Sequence, residues 1–505
     1  MHRAILIDSL PGEVRIAVLE DDLLTEVFIE RSAKRSVSGN VYKGRVRNIL
    51  PGMQSAFVDI GLERDAFLYV EDLAGGLEHM ERLEGGNGDV GDRESADRSG
   101  SAPAIDQLIR EGQDIIVQVT KDPIGQKGAR ITSHVTLPGR YLVYLPGVNH
   151  VGVSRKIVDE EERDRLKSIG AAVVERAGLE GGLIVRTAGE GRCVEEFDAD
   201  ARYLAAAWID IRRHNDAREA PAILHEEAGA IGKVLRDIFH EGVEEVVAES
   251  AEVRDEIVRI MERLQPDLTA RVRLHEASSP LFEVRGVVSQ LERALRPRIW
   301  LKSGGHIVIN QTEALVAIDV NTGKYVGTRR LEETILRTNL EAVREIVRQV
   351  RLRDLGGIIV IDLIDMQEAA SKQAVIEALN LELKKDRSKS RVLQISEFGL
   401  VEITRQRSKP SLERILCRPC MVCGGSGSVK TAETVYFEIV REGRRVRAAQ
   451  DGGEVILRLH TDLLPLFLAR TESLANDLGL ADAGKLSIEA DASLQPGQWR
   501  LTRGA

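Results

Sequence analysis

Aromatic side chains are scarce in this chain: 3 Trp, 7 Tyr and 9 Phe make up 4% of its 505 residues. Its cores must therefore be built from Val, Ile, Leu and Ala, and aromatics that cluster at a surface carry information. Cysteine is scarcer still, with 4 residues, too few for a disulfide-stapled secreted scaffold. Long apolar runs are missing as well. None approaches the roughly eighteen residues that cross a bilayer, and the longest, such as Gly357 to Ile361, have the length of a strand. The opening residues reach Asp8 after a short apolar stretch and show no small-residue cleavage site. That is the pattern of a first strand and not of a signal peptide, so a cytoplasmic protein without a membrane span is expected.

Net positive charge is the last absence. With 70 Lys and Arg against 80 Asp and Glu the formal net charge is -10, which taken alone argues against a nucleic-acid partner. The distribution reverses that reading. Glu71, Asp72, Glu78, Glu81, Glu84, Asp89, Asp92, Glu94 and Asp97 face only Arg82 and Arg93, so one Gly-, Asn- and Ser-rich segment holds -7 of the -10. Without apolar periodicity it reads as a disordered surface loop over 75–104. Elsewhere Arg31, Lys34, Arg35, Lys43, Arg45 and Arg47 form an acid-free cluster, and Lys384 to Lys409 is a second basic stretch. Such clusters are usually solvated faces, but two of them keep a polyanion partner open.

The length exceeds what one core organises and implies roughly three or four domains. Residues 1–31 alternate apolar and polar between turn signals, which predicts three short antiparallel strands that need a distant pairing partner. Five more short strands follow from Val41 to about Thr132 and fit a small OB-type barrel. A β-rich segment from Arg140 to about Asp198 encloses a helix at Asp159–Ala177. Residues 199–264 read mostly as helices, 271–410 as an α/β domain, and 428–505 as a small unit with its own core.

The α/β segment carries the sharpest signal. ALVAIDVNTG (Ala314–Gly323) and GGIIVIDLIDM (Gly356–Met366) read as strands that end in acid, the second fully buried. Between them Ile335, Leu336, Leu340, Val343, Ile346, Val347 and Val350 mark one helix face. A strand, helix, strand unit makes the two strands parallel, so Asp319 and Asp362 fall at carboxyl ends, where such sheets bind ligands. Asp319 and Asn321 project to the same side. Two carboxylates and an amide are hard oxygen ligands suited to magnesium. Asp365 is read instead as a helix cap, from the capping-box-like spacing Asp365-Met-Gln-Glu368. Cys193 stands alone and is expected to be a buried small hydrophobe. Cys417, Cys420 and Cys423 lie in LCRPCMVCGGSG, a metal-binding spacing. One Cys-x-x-Cys knuckle supplies two thiolates where structural zinc takes four, which points to a site shared between two chains.

Together, GNVYKGRVRNILPGMQSAFVDIG, GLIVRTAG, ALVAIDVNTG, TNLEAVREIVRQVRLRDLGGIIVIDLIDM, SEFGLVEITRQR and the cysteine knuckle resemble the ribonuclease E and ribonuclease G family of bacterial endoribonucleases. The resemblance runs in order from residue 1 to the knuckle. The chain ends at Ala505 without a long Pro- and Arg-rich tail, which places it nearer the ribonuclease G branch. It implies a multidomain α/β and α+β fold: a split RNase H-like subdomain (1–35 and 232–294), an OB-fold RNA-binding barrel (36–133), a 5'-phosphate sensor domain with connecting helices (134–231), a DNase I-like catalytic subdomain (295–416), a zinc link (417–427) and a small C-terminal dimerisation domain (428–505).

The resemblance further implies magnesium-dependent cleavage of single-stranded RNA to 5'-phosphate and 3'-hydroxyl products, in ribosomal RNA maturation and messenger RNA decay. Asp319 and Asp362 become the magnesium ligands, and Asn321 orients the attacking water or the scissile phosphate. Phe57 and Phe67 stand where the family stacks a base, although by residue type alone they equally suit a barrel core. Lys121 and Lys389 become RNA contacts, and Arg186 with Thr187 the 5'-monophosphate pocket. Cys420 and Cys423 become zinc ligands in a homodimer or homotetramer, although Met421 stands where the family usually has proline. A non-catalytic RNA-binding or ribosome-assembly factor is the alternative, and it has no need to keep Asp319, Asn321 and Asp362 together.

Overall fold

The computed structural model describes residues 2–32, 36–74, 104–123, 127–323, 331–393, 396, 399–407, 409–447, 455–480 and 486–503. The expected acidic loop, up to residue 103, and the basic residues Lys34 and Arg35 lie outside the described residues. The chain divides into two units, Met1–Ile415 and Leu416–Ala505.

In the first unit the opening residues form antiparallel strands Arg3–Leu10, Glu13–Glu20 and Leu23–Arg31. The second turn places Asp21 and Asp22 at φ 49 and 62, the left-handed pair that a two-residue hairpin turn requires. Three strands bury little alone, and Arg3–Leu10 pairs on its free side with the parallel strand Glu245–Ala248, which pairs in turn with Val272–Leu274. Segments far apart in sequence thus share one five-stranded sheet. Ile5, Ile7, Ile16 and Val18 pack there with Leu235, Phe239, Ile257 and Met261.

Strands Val41–Leu50, Ser55–Asp59, Ala66–Tyr69, Arg130–Thr132 and Asp114–Lys121 close into a barrel, because the last also pairs with the first. Val46, Ala56, Val58, Leu68, Val117 and Ile131 fill it, consistent with the OB-type barrel expected. Strand Ala222–His225 adds to Val41–Leu50 from outside. A four-stranded sheet follows (Leu137–Pro138, Leu142–Pro146, Val151–Val153, Gly181–Val185). Its helix Glu160–Ala177 starts where the Asp159 carboxylate accepts the N–H groups of Glu161 and Glu162, and it stops at Gly178 with φ 60. Cys193 corrects its expectation: it is exposed, because it precedes helix Val194–Ala217 at the N-cap, a solvent-facing position.

The α/β region is a six-stranded sheet in the order Arg298–Trp300, His306–Gln311, Leu315–Asn321, Gly357–Asp362, Leu400–Arg405, Ser390–Val392. Its central pair is parallel and the other pairings are antiparallel. Helices Leu331–Leu352 and Ala369–Leu383 bury one face: Ile318, Val320, Ile359 and Ile361 meet Val343, Ile346, Val347 and Val375. Each such side chain contributes about 1.5–3 kcal/mol, so Ile346→Ala costs about 2–5 kcal/mol. The expectation of a fully buried Gly357–Asp362 strand is wrong. Its pattern alternates, with Ile358 half-exposed and Asp362 exposed, because both helices lie on the same side and leave the opposite face open. Behind the helix, Arg351 is clamped by Glu20 and Glu26 of the first sheet at 2.9 and 3.1 Å.

The second unit has its own core. Strand Val455–Leu459 lies between Leu486–Ala490 and Trp499–Arg503, and Val435, Ile439, Leu457, Phe467 and Leu474 are buried around it. Among the described residues no helix is long and apolar enough to cross a membrane.

Candidate functional site

Asp319 and Asp362 are direct register partners on the parallel central pair. Neighbouring strands run about 4.8 Å apart, so two carboxylates leave the open face side by side, both exposed. Asn321, two residues further along the same strand, donates from Nδ2 to Asp319 Oδ2 at 2.7 Å. The apolar residues between them point to the helices, and that alternation is what turns the acids outward.

The surrounding loops are fastened by side chains that sequence reasoning missed. Asn339, fully buried on helix Leu331–Leu352, donates to the Ile364 carbonyl at 2.8 Å and accepts the Ile364 N–H at 3.1 Å, two residues beyond Asp362. On the same helix Glu341 accepts the Lys302 N–H at 2.6 Å, which holds the loop whose Gly304 carbonyl faces Gly323; a Cβ on Gly323 would sit 2.4 Å from that oxygen. The signal for Asn339 was a polar residue inside the apolar helix stripe. Asp365 is not the helix cap expected of it. Helix Ala369–Leu383 begins four residues later with Glu368 at its N-cap, and Glu332 takes the N–H groups of Gln367 and Glu368, each at 3.1 Å. A carboxylate from the neighbouring helix reaches those amides, so Asp365 stays in solvent.

Among the described residues no group of three or more His, Cys, Asp or Glu side chains is arranged to hold a metal. Two carboxylates still suit magnesium, which keeps several waters and binds through one or two carboxylates plus substrate phosphate. Both candidates are solvent-facing and adjacent, with no cationic partner among the described residues, so the donor set fits.

On the barrel, Phe57 and Phe67 are cross-strand partners, and their rings meet edge-on at 5.2 Å. Neither belongs to the barrel core, which Ala56, Val58, Ala66 and Leu68 fill from the opposite side of the same strands. Tyr69 extends the group at 4.7 Å from Phe67, an aromatic the sequence reading left out. Phe67 registers with Arg130 and Arg130 with Lys121, so Phe57, Phe67 and Lys121 lie along one row of the barrel surface. Lys389 is exposed, but it precedes strand Ser390–Val392, whose Ser390 registers with Arg405 and, through it, with Gly357. That is the opposite end of the strand from Asp362, and the fold does not bring Lys389 to the aspartates.

The basic clusters are largely consumed within the chain. Arg45 pairs with Asp114, Arg47 with Asp59 and Arg31 with Glu13. In the second stretch Arg405 is buried between Asp354 and Asp386, and Lys409 donates to the Val27 carbonyl at 2.8 Å.

Arg186 follows strand Gly181–Val185, donating from Nη1 to the Gly139 carbonyl at 2.6 Å and from Nη2 to Asp237 at 2.8 Å. Burial works to raise the Asp237 carboxyl, and the Arg236 and Arg186 guanidiniums outweigh it, holding the group at about 2. Thr187 is exposed beside it, its hydroxyl 3.2 Å from Ser154 Oγ. In the second unit Cys417 and Cys420 are exposed and Cys423 is partly covered. The Gly427 N–H, 3.4 Å from Cys423 Sγ, is first among the backbone donors that pull this thiol below its ordinary range, which favours the thiolate that zinc takes.

Comparison with known proteins agrees with the motifs. The family model of the Ribonuclease E/G family matches residues 136–408. Ribonuclease G of Salmonella typhimurium (strain SL1344) is 41% identical over 457 residues, 90% of each chain. Ribonuclease G of Haemophilus influenzae is 43% identical over 442 residues, 88% of this chain and 87% of that one. Ribonuclease E of Escherichia coli (strain K12) is 35% identical over 445 residues, 87% of this chain but 40% of its own length. With a model match across more than half of its length and relatives this similar along nearly all of it, the chain belongs to the Ribonuclease E/G family of endoribonucleases.

Proposed function

We propose that this ribonuclease hydrolyses single-stranded RNA with magnesium, leaving 5'-phosphate and 3'-hydroxyl ends, at the open sheet face where Asp319 and Asp362 stand opposite each other. That juxtaposition carries the reading. Asp319 and Asp362 hold the ion; when bound, it supplies positive charge against the charge that develops on the phosphate. Asn321 keeps Asp319 oriented through its 2.7 Å hydrogen bond and presents its remaining amide atoms to the attacking water or the scissile phosphate. The aromatic group of Phe57 and Phe67 suits stacked bases of a single strand, with Lys121 on the same barrel surface for phosphate; Lys389, at the far end of the catalytic sheet, contacts RNA only beyond the cleavage point. Arg186 and Thr187 receive a 5'-monophosphate, with Asp237 as the internal carboxylate that the phosphate displaces.

In this reading the five-stranded sheet is the split RNase H-like subdomain, the Gly181–Val185 sheet the 5' sensor, and the six-stranded sheet the DNase I-like subdomain. Cys420 and Cys423 of two chains share one zinc, making a homodimer or a homotetramer through the C-terminal unit. The physiological role is ribosomal RNA maturation and messenger RNA decay in the cytoplasm. The deciding experiment incubates a 5'-monophosphorylated single-stranded oligonucleotide with the purified protein, with and without magnesium. Cleavage that needs magnesium and yields 5'-phosphate ends is expected. Binding without cleavage would leave a non-catalytic RNA-binding or ribosome-assembly factor.

A further inference from the structure

The open face of the six-stranded sheet continues past the aspartates to an edge strand that the reaction has not yet used. Two register rows cross it. In one, Asp362 pairs with Asp319, Asp319 with Val308 and Val308 with Arg298. In the other, Asn321 pairs with His306 and His306 with Trp300. Register partners share a face, so Arg298 and Trp300 look out on the same side as Asp319 and Asn321, while Ile299 between them is in the core. Trp300 is 66% exposed, the most exposed aromatic among the described residues. That exposure is costly in a chain this poor in aromatics unless something covers it. It is not a loose side chain: the His306 ring lies 5.1 Å away, tilted against the indole, and His306 Nδ1 is buried without a hydrogen bond, so the imidazole serves the indole as packing. Arg298 is exposed and makes no ion pair among the described residues. An exposed indole braced by an imidazole, next to a guanidinium with no carboxylate partner among the described residues, two strands or about 10 Å from the candidate catalytic row, has the chemistry of a nucleotide site.

We propose that strand Arg298–Trp300 is a nucleotide subsite of the cleavage face, in which Trp300 stacks the base adjacent to the scissile phosphate and Arg298 takes the next phosphate of the chain. The inference rests on the reading of Asp319 and Asp362 as the cleavage site. It adds a contact outside both the barrel and the 5' pocket, and it makes cleavage depend on the presence of a base, though not on its identity, since every base has a face to stack.

The test uses the full chain with a single-stranded oligonucleotide that has one cleavage site, and versions of it with an abasic residue at each flanking position. Trp300→Ala should raise KM by about ten-fold, within the range of a lost base stack, with little change in kcat, and Trp300→Phe should restore most of the loss. An abasic residue at the stacked position should raise KM similarly in the unmutated protein and add nothing in Trp300→Ala. Arg298→Ala should flatten the dependence of log KM on log salt by about 0.7, one single-strand phosphate. RNA should quench tryptophan fluorescence in Asp319→Asn, and the quench should vanish when Trp300→Phe is added. Unchanged KM and unchanged quenching in the Trp300 variants, with cleavage abolished by Asp319→Asn, would overturn the subsite and spare the parent reading. Retained cleavage by Asp319→Asn would overturn the parent reading, while the quench, which needs no chemistry, still reports whether Trp300 meets a base. A change of oligomeric state in Trp300→Ala without a change in KM would show that a second copy of the chain covers the indole, and the subsite would fall.

Discussion

The carboxamide of Asn339 holds both backbone groups of Ile364, donating to its carbonyl at 2.8 Å and accepting its N–H at 3.1 Å, and so anchors the chain just after Asp362. Asn339→Leu keeps the branched shape and removes both bonds. Each backbone group left unsatisfied costs about 1–3 kcal/mol, so thermal unfolding should show a loss of about 2–6 kcal/mol. Because Asp362 loses its fixed position, kcat should fall while RNA affinity holds. An unchanged kcat in a folded variant would show that Asp362 is positioned by its strand alone.

Asp319→Asn and Asp362→Asn should each lower cleavage by about three orders of magnitude, the several kcal/mol that metal charge supplies, and leave the melting temperature unchanged, because both side chains face solvent. Asn321→Ala removes one charge-assisted hydrogen bond and should cost about ten- to a hundred-fold in rate. Near-normal cleavage by either aspartate variant at low magnesium would remove the two-carboxylate site.

Glu332 and Asp365 make a sharper contrast than their sequence positions suggest. Glu332→Ala strips the acceptor from the N–H groups of Gln367 and Glu368 and should cost about 1 kcal/mol, the usual net worth of a hydrogen bond. Asp365→Asn should leave unfolding unchanged. A stability loss in Asp365→Asn and none in Glu332→Ala would reverse the assignment.

The pattern of acids and apolar residues around Asp319 and Asp362 was legible because strand alternation and helix periodicity are local properties. What was not legible was which face of the sheet stays open. The run Gly357–Ile361 is apolar throughout and looks the same whether one or two layers cover it; only the placement of both helices on one side exposes Ile358 and Asp362. Asp365 failed for a related reason, since the carboxylate that takes the amides leading into its helix comes from Glu332 on another helix, and no spacing rule within one segment records that. Arg186 was legible as a guanidinium after a strand. Its partner Asp237 was not, because the pairing joins positions that only the tertiary fold brings together.

That pairing predicts an acid-sensitive stability. Asp237 drops on folding from an ordinary value of 3.8 to about 2, so its contribution is fully present above pH 4 and is lost as pH falls through about 2, a swing of about 2 kcal/mol. Asp237→Asn should flatten this acid limb of the stability curve. Arg186→Ala should shift it upward, since one of the two guanidiniums that depress the carboxyl is gone, and should also erase any preference for a 5'-monophosphorylated over a 5'-hydroxyl oligonucleotide. Equal rates on the two substrates in the unmutated protein would refute the sensor role and leave Arg186 a structural partner of Asp237.

Zinc belongs, in the proposed assembly, to the joining of chains and not to the chemistry. Each chain offers Cys420 and Cys423, whose thiolates suit zinc far better than the oxygen chemistry of the aspartates does, and a tetrahedral site needs four ligands. Zinc binding and dimerisation then become one linked equilibrium. The core of the first unit draws on no cysteine, so replacing Cys420 and Cys423 by Ser should release zinc and yield monomers that keep the unfolding transition of that unit. Native mass spectrometry decides the stoichiometry. One zinc per two chains, lost together with the dimer, is the expected result; one zinc per chain, or a dimer that survives the double substitution, would mean that Cys417 or another group completes the site within a single chain.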